Sequence, residues 1–194
     1  MSYVIVIFLF AVLSMSCRQQ LGERQPAESD DYLIYSMLLN QLEYPRNDDS
    51  IKQFVIAEMT LRSDNSCDPA RRLKTENTTL AAEVKSAIAD LEKKDKTSIP
   101  LSKKFSLKKN YVLISQGEIL SISPTGIGDV FYKKYPDSSG IISLSRIGYS
   151  ANKTIALVYR TVACGLRCGE GRYYIFEKKD GSWNMKESLG CWVN

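Results

Sequence analysis

The chain has 194 residues, room for one ordinary domain and a short appendage but not for two full domains. Hydrophobic residues at 44%, charged residues at 25% and a mean hydropathy of −0.22 describe a chain able to bury a core, which excludes wholesale disorder and a polytopic membrane protein. Histidine is absent, which removes Ser-His-Asp and Cys-His catalysis, HExxH zinc hydrolysis and imidazole metal sites together. The net charge of +4 is mild and falls short of the basic stripe of a nucleic-acid binder.

Residues 3–13 (YVIVIFLFAVL) form an unbroken apolar run. That is shorter than the about 20 helical residues needed to cross a bilayer, and it matches the core of an export signal. Small residues, Ser14 and Ser16, stand three and one places before Cys17, an arrangement that resembles a bacterial lipobox. The resemblance implies a signal peptide over residues 1–16, a lipid on Cys17 and attachment to a cell-envelope membrane, facing the periplasm or the exterior. An uncleaved N-terminal anchor is the alternative. Residues 17–31 are polar, with little to bury, and read as a tether to a single domain over residues 32–194.

Within the domain, Ile34, Tyr35, Leu38, Leu39 and Leu42 recur at helical spacing, with Ser29, Asp30 or Asp31 as cap and Pro45 as the stop. Residues 53–60 have the β-branched content of a strand, and residues 62–77, which hold Cys67, read as a loop. Leu80, Val84, Ala87, Ile88 and Leu91 then mark a second helix, capped from Asn77 to Thr79 and ending in lysines. Residues 111–115 read as a strand, residues 118–123 as either a strand or a helical turn, and residues 130–135 as a short helix stopped by Pro136. Four β-rich runs follow, at residues 141–147, 154–163, 172–178 and 183–189, with Asp180-Gly181 as a hairpin signal. Connections this short join antiparallel neighbours. The expected architecture is therefore α+β, with N-terminal helices packed on one face of a C-terminal antiparallel meander of about four to five strands.

The five cysteines are Cys17, Cys67, Cys164, Cys168 and Cys191. With Cys17 lipidated, four remain, an even count suited to two disulfides in an oxidising compartment. Three pairings are possible. The favoured one closes a small loop between Cys164 and Cys168 and leaves Cys67 to Cys191. The C-x3-C spacing is not that of a thioredoxin-like site, and no histidine or second cysteine pair completes a zinc shell, so a structural staple is expected and no metal or other cofactor.

Residues 131–140 (FYKKYPDSSG), 144–149 (LSRIGY), 156–159 (ALVY) and 164–174 (CGLRCGEGRYY) together resemble the C-terminal pattern of a family of uncharacterised exported bacterial proteins. The resemblance spans roughly residues 105–185 and implies a bacterial source, an envelope location and a shared cysteine loop. It brings no activity and no catalytic residues, and Cys67 and Cys191 lie outside it. The terminal hairpin around Tyr173, Asp180-Gly181 and Trp183 is also similar to that of NTF2-like and cystatin-like domains.

No catalytic set can be assigned. Arg146, flanked by apolar residues, reads as a half-buried cation aimed at a carboxylate such as Glu170. Glu118, Asp129 and Glu170 are the acids from which a glycan or peptide hydrolase would be built. Arg146, Glu170, Tyr149, Tyr159 and Tyr173 are candidates for a binding surface on the sheet and cysteine loop, although tyrosine on a half-buried strand is most often packing. The expectation is a membrane-tethered, non-enzymatic binding or structural module whose partner is an envelope protein or glycan. The alternative is an exported hydrolase using acidic residues.

Overall fold

The computed structural model describes residues 29–42, 51–63, 67–123 and 126–194. The expected signal peptide, the lipidation site Cys17 and most of the tether lie outside the described residues. The architecture is α+β around one six-stranded mixed sheet, with strand order β2-β1-β3-β4-β5-β6.

The C-terminal half is the predicted meander. Strands β3 (Ser138–Tyr149), β4 (Ile155–Gly165), β5 (Cys168–Lys179) and β6 (Ser182–Val193) pair antiparallel in sequence order. The turn between β5 and β6 is Asp180-Gly181, with φ of 51° and 79°. Both values are positive, so the turn carries the twist that suits a two-residue hairpin.

Two further strands extend the sheet beyond the expected count. Strand β1 (Gln53–Ala57) lies between β3 and β2 (Asn110–Ile114) and runs parallel to both. The segment joining β1 to β2 contains the short α2 (Pro69–Arg72) and the long α3 (Thr78–Lys94), and helices α4 (Gln116–Ile122) and α5 (Asp129–Lys134) lie between β2 and β3. Such long connections are what parallel neighbours require. Helix α3 is capped by Asn77, whose side chain accepts from Leu80 N at 3.0 Å. Residues 118–123, open between strand and helix in the sequence, fall in α4 and its C-cap Ser123, a helix started where the Ser115 hydroxyl accepts from Glu118 N at 3.1 Å.

The helices cover both faces of the sheet, not one. On one face α1 (Ser29–Asn40) packs Tyr32, Ile34, Tyr35, Leu38 and Leu39 against Ala156, Val158, Tyr174 and Phe176. On the other, Val84, Ala87 and Leu91 of α3 meet Ile155, Leu157, Tyr159, Tyr173 and Ile175. Beside them, Ile122 of α4 and Phe131 of α5 close over Val55, Ile114 and Ile141. Strands β4 and β5 are thus apolar on both sides, the condition of a central strand with helices above and below.

Ser29, Asp30 and Asp31, assigned to the tether from sequence, form the first turn of α1. Asp31 is buried and accepts from the Tyr149 hydroxyl at 2.7 Å, which ties the helix start to the end of β3. Gly148, next to that tyrosine, is the contact point for α3. A β-carbon there would stand 2.6 Å from Leu91 Cβ and 2.7 Å from Leu91 N.

Candidate functional site

A mismatch between β1 and β3 opens a groove on one face of the sheet. Ile56 pairs with Ile142 and Leu61 bridges Ser145, so five steps along one chain oppose three along the other. The surplus is absorbed by a detour in which Met59 bridges Pro100, Thr60 N donates to Ile99 O at 3.0 Å and Leu101 N donates to Glu58 O at 2.6 Å. The chain peels away from β3 and leaves a groove of ≈ 620 Å³.

Ile141, Ser143, Ala163 and Gly165 make the groove floor; Ala57, Met59, Thr60, Leu61 and Ser98 form one wall, and Gln116, Ile119, Ser123, Gly126 and Ile127 the other. None of these side chains ionises near neutral pH. The polar groups are four hydroxyls and one amide, and two of the hydroxyls serve the wall itself: Thr60 Oγ1 accepts from Ile99 N at 3.0 Å, and Ser98 Oγ donates to Thr60 O. The groove is therefore chemically neutral and mostly aliphatic. Its size falls within the range typical of small-ligand sites. From Ser143 the cross-strand row runs through Thr161 to Gly171, where Tyr159 and Trp192 close over it.

The carboxylates proposed from sequence do not converge. Glu118, on α4, binds Lys134 Nζ at 2.7 Å and accepts from the Tyr135 hydroxyl. Those two partners hold its carboxyl below the usual glutamate range, Lys134 contributing most. Burial and the bond to Glu118 push the Tyr135 phenol up to about 12. Asp129 is exposed in the first turn of α5. Glu170 pairs with Arg160 and lies 3.8 Å from Arg172.

Glu170 is thus not the partner of Arg146. It belongs to the α1 face of the sheet, where its partner Arg160 stacks on the Tyr174 ring, 5.3 Å from the centroid. Arg146 sits in a bulge of β3 between Leu144 and Ile147, which turns it toward the C-terminus of α3. There its guanidinium reaches Lys94 O at 3.4 Å and stands beside Asp95. Asp95 is buried, and desolvation raises its carboxyl despite the Ser63 N–H at 2.8 Å and the Arg146 cation. The Ser145 hydroxyl closes the bulge by accepting from Tyr159 N at 2.8 Å, and the Tyr35 hydroxyl donates to Ser145 O at 2.7 Å.

The tyrosines named as surface candidates are packing groups. Tyr149, Tyr159 and Tyr173 are 8%, 2% and 4% exposed, because both sheet faces are covered. Burial, with Asp31 adding to it, raises the Tyr149 phenol far above its ordinary value. Tyr159 accepts from Trp192 Nε1 at 2.8 Å.

The disulfides are Cys67–Cys191 and Cys164–Cys168, the pairing favoured from sequence. The first passes beneath α3, joining the segment just before α2 to β6. The second spans the end of the β4–β5 hairpin beside the groove floor. Among the described residues, no group of three or more Cys, Asp or Glu side chains is placed to hold a metal ion, and no helix is long and apolar enough to cross a membrane.

The groove residues were missed by sequence reasoning, because β1 had no assigned neighbour. One readable signal was the set of small residues, Ser143, Ala163, Gly165, Gly169 and Gly171, in strands that are otherwise bulky. No protein-family model, curated protein or solved structure matches the chain.

Proposed function

We propose that this chain is an exported protein held at a bacterial cell-envelope membrane through lipid on Cys17, and that its α+β domain is a non-enzymatic binding module. The ligand occupies the groove between β1 and β3 and is uncharged and mainly aliphatic: a hydrocarbon chain or the apolar side chains of an envelope partner. The supporting observation is the groove lining, which offers aliphatic surface and hydroxyls but no acid or base to move a proton. The hydrolase reading draws no support from the placement of Glu118 and Glu170, which are engaged by cations in separate clusters.

The test combines two measurements on the full chain. Native mass spectrometry of protein gently solubilised from its own cells should show a diacylglycerol-type mass on a chain beginning at Cys17, together with a retained apolar companion. The neutral probe N-phenyl-1-naphthylamine should brighten on binding the wild type and fail to do so with Ala163→Trp. Ala163 is an exposed floor residue, so the indole stands up into the groove without entering the core. Equal probe binding by both proteins would refute the groove assignment, and a lipid-free Cys17 would refute the tether.

A further inference from the structure

We propose that the Cys164–Cys168 disulfide is a thiol-exchangeable lock on the rim of the groove, whereas Cys67–Cys191 is a permanent staple. The regulatory part of this inference rests on the groove reading; the exchange itself does not.

Two hairpins of equal loop length are closed in different ways. Between β5 and β6, Asp180 and Gly181 both adopt positive φ and supply the favoured turn. Between β4 and β5, Gly165 pairs with Cys168 across Leu166 and Arg167, and neither of these two residues has a positive φ. Such a turn splays its strands, and the register of β4 against β5 breaks between Ala163 and Gly165. The hairpin tip is therefore held by its covalent bridge more than by its turn chemistry.

That bridge is also the accessible one. Cys168 is exposed, Leu166 beside it is 86% exposed, and the exposed Arg167 offers a cation to an approaching thiolate. In the other bridge neither cysteine is exposed: Cys67 is 4% exposed beneath α3 and Cys191 is half-buried. Exchange requires in-line access to a sulfur, so the two bridges differ in reach. The tip is coupled to the groove directly: Ala163 and Gly165 lie in the floor, and the Tyr132 hydroxyl of α5 donates to Cys164 O at 2.9 Å.

The step is ordinary thiol–disulfide exchange. An external thiolate attacks Cys168 Sγ, forming a mixed disulfide. The bonding pair of the broken S–S bond goes to Cys164 Sγ, which takes a proton from water. A second thiolate attacks the mixed disulfide at the external sulfur, leaving as the oxidised external disulfide while Cys168 becomes a thiol. The protein gains two electrons from the thiol donor and two protons from solvent, to which the donor thiols gave up their own on forming thiolates. Freed of its bridge, the tip moves off α5 and the groove loses one edge of its floor.

The test treats the full chain with reduced glutathione in one arm and with a reduced thioredoxin-type dithiol protein in the other. Free thiols are then alkylated and located by peptide mass, with Cys17 scored separately. One new label on each of Cys164 and Cys168, with none on Cys67 or Cys191, is expected in at least one arm, and the arm identifies the kind of donor. Opening of Cys67–Cys191 first or simultaneously, or of neither bridge in both arms, would overturn the proposal. Hydrogen exchange on a Cys164→Ser/Cys168→Ser variant checks the mechanical part. Protection should be lost at residues 127–132 and 163–168 and kept in α3; unchanged protection at the hairpin refutes the lock. Failure of the naphthylamine probe to bind the oxidised wild type would count against the groove alone and would leave the labelling result standing.

Discussion

Replacing Gly148 with alanine tests whether α3 is seated directly on the backbone of β3. The added methyl would lie 2.6 Å from Leu91 Cβ and 2.7 Å from Leu91 N, with Ala87 O closer still. Ordinary carbon contacts are about 3.5–4.0 Å, so the helix must retreat by about 1 Å. The atoms in the way are mainly helix backbone, which cannot swing aside as a flexible side chain can, and the fully buried Val84 and Ala87 would move with it. Overpacking of this kind costs about 1–3 kcal/mol, and the rigidity of the obstacle places the cost near about 3 kcal/mol. For a domain of this size that lowers Tm by about 6–12 °C. Calorimetry with both disulfides intact provides the measurement. Gly117→Ala is the matched control: its nearest neighbour would be Ser115 Oγ at 3.8 Å, and alanine is the better helix former inside α4, so stability should be unchanged or higher by up to about 1 kcal/mol. A Gly148→Ala protein that melts with the wild type would refute the seating of α3 on this strand.

The two bridges should differ in worth as well as in access. Loop-closure entropy gives about 5 kcal/mol for a separation of 124 residues and about 2 kcal/mol for a separation of 4. Urea unfolding of Cys67→Ser/Cys191→Ser should therefore show the larger loss, and the reverse order would contradict the assignment of the long bridge as the main staple. At the alkaline end, burial raises the Tyr35 and Tyr149 phenols in the folded chain, with Asp31 adding to both. A raised folded value means that their contribution is fully present below about pH 10, the unfolded value, and is lost as pH climbs above it. Ultraviolet titration should show Tyr35 and Tyr149 among the tyrosines that ionise only as the protein unfolds. Tyr149→Phe should remove one of them and, at neutral pH, cost about 1.5–3 kcal/mol because Asp31 loses this donor.

Local features were well legible in the amino-acid sequence. The spacing of Leu80, Val84, Ala87, Ile88 and Leu91 with Asn77 ahead of them located α3, and Asp180-Gly181 located the last hairpin. What escaped depends on distant partners. The runs IALVY and YYIF are apolar without alternation, the mark of strands buried on both faces, yet a one-sided meander was expected. The error propagated to Tyr149, Tyr159 and Tyr173, placed on a surface that helices cover. Arg146 was aimed at Glu170 because the β3 bulge, which reverses local facing, carries no local sequence mark. The groove depends on where β1 leaves β3, and so on a pairing between segments more than eighty residues apart, as in Ile56 with Ile142.

The Cys67–Cys191 bridge also determines how the molecule carries load. A pull applied ahead of α1 and beyond Cys191 runs along the chain to Cys67, crosses the bridge and leaves after Cys191, so the segment in between is bypassed. Strands β2 to β5, helices α2 to α5 and most of the groove lie inside that covalent loop and cannot be drawn out while the bridge holds. Among the described residues, α1, β1 and the last two residues of β6 stand in the line of tension. Because β1 is clamped between two neighbours, it would resist by shearing along both at once. Under stress α1 would yield before β1, and once β1 followed the groove would lose part of one wall while its floor stayed in place.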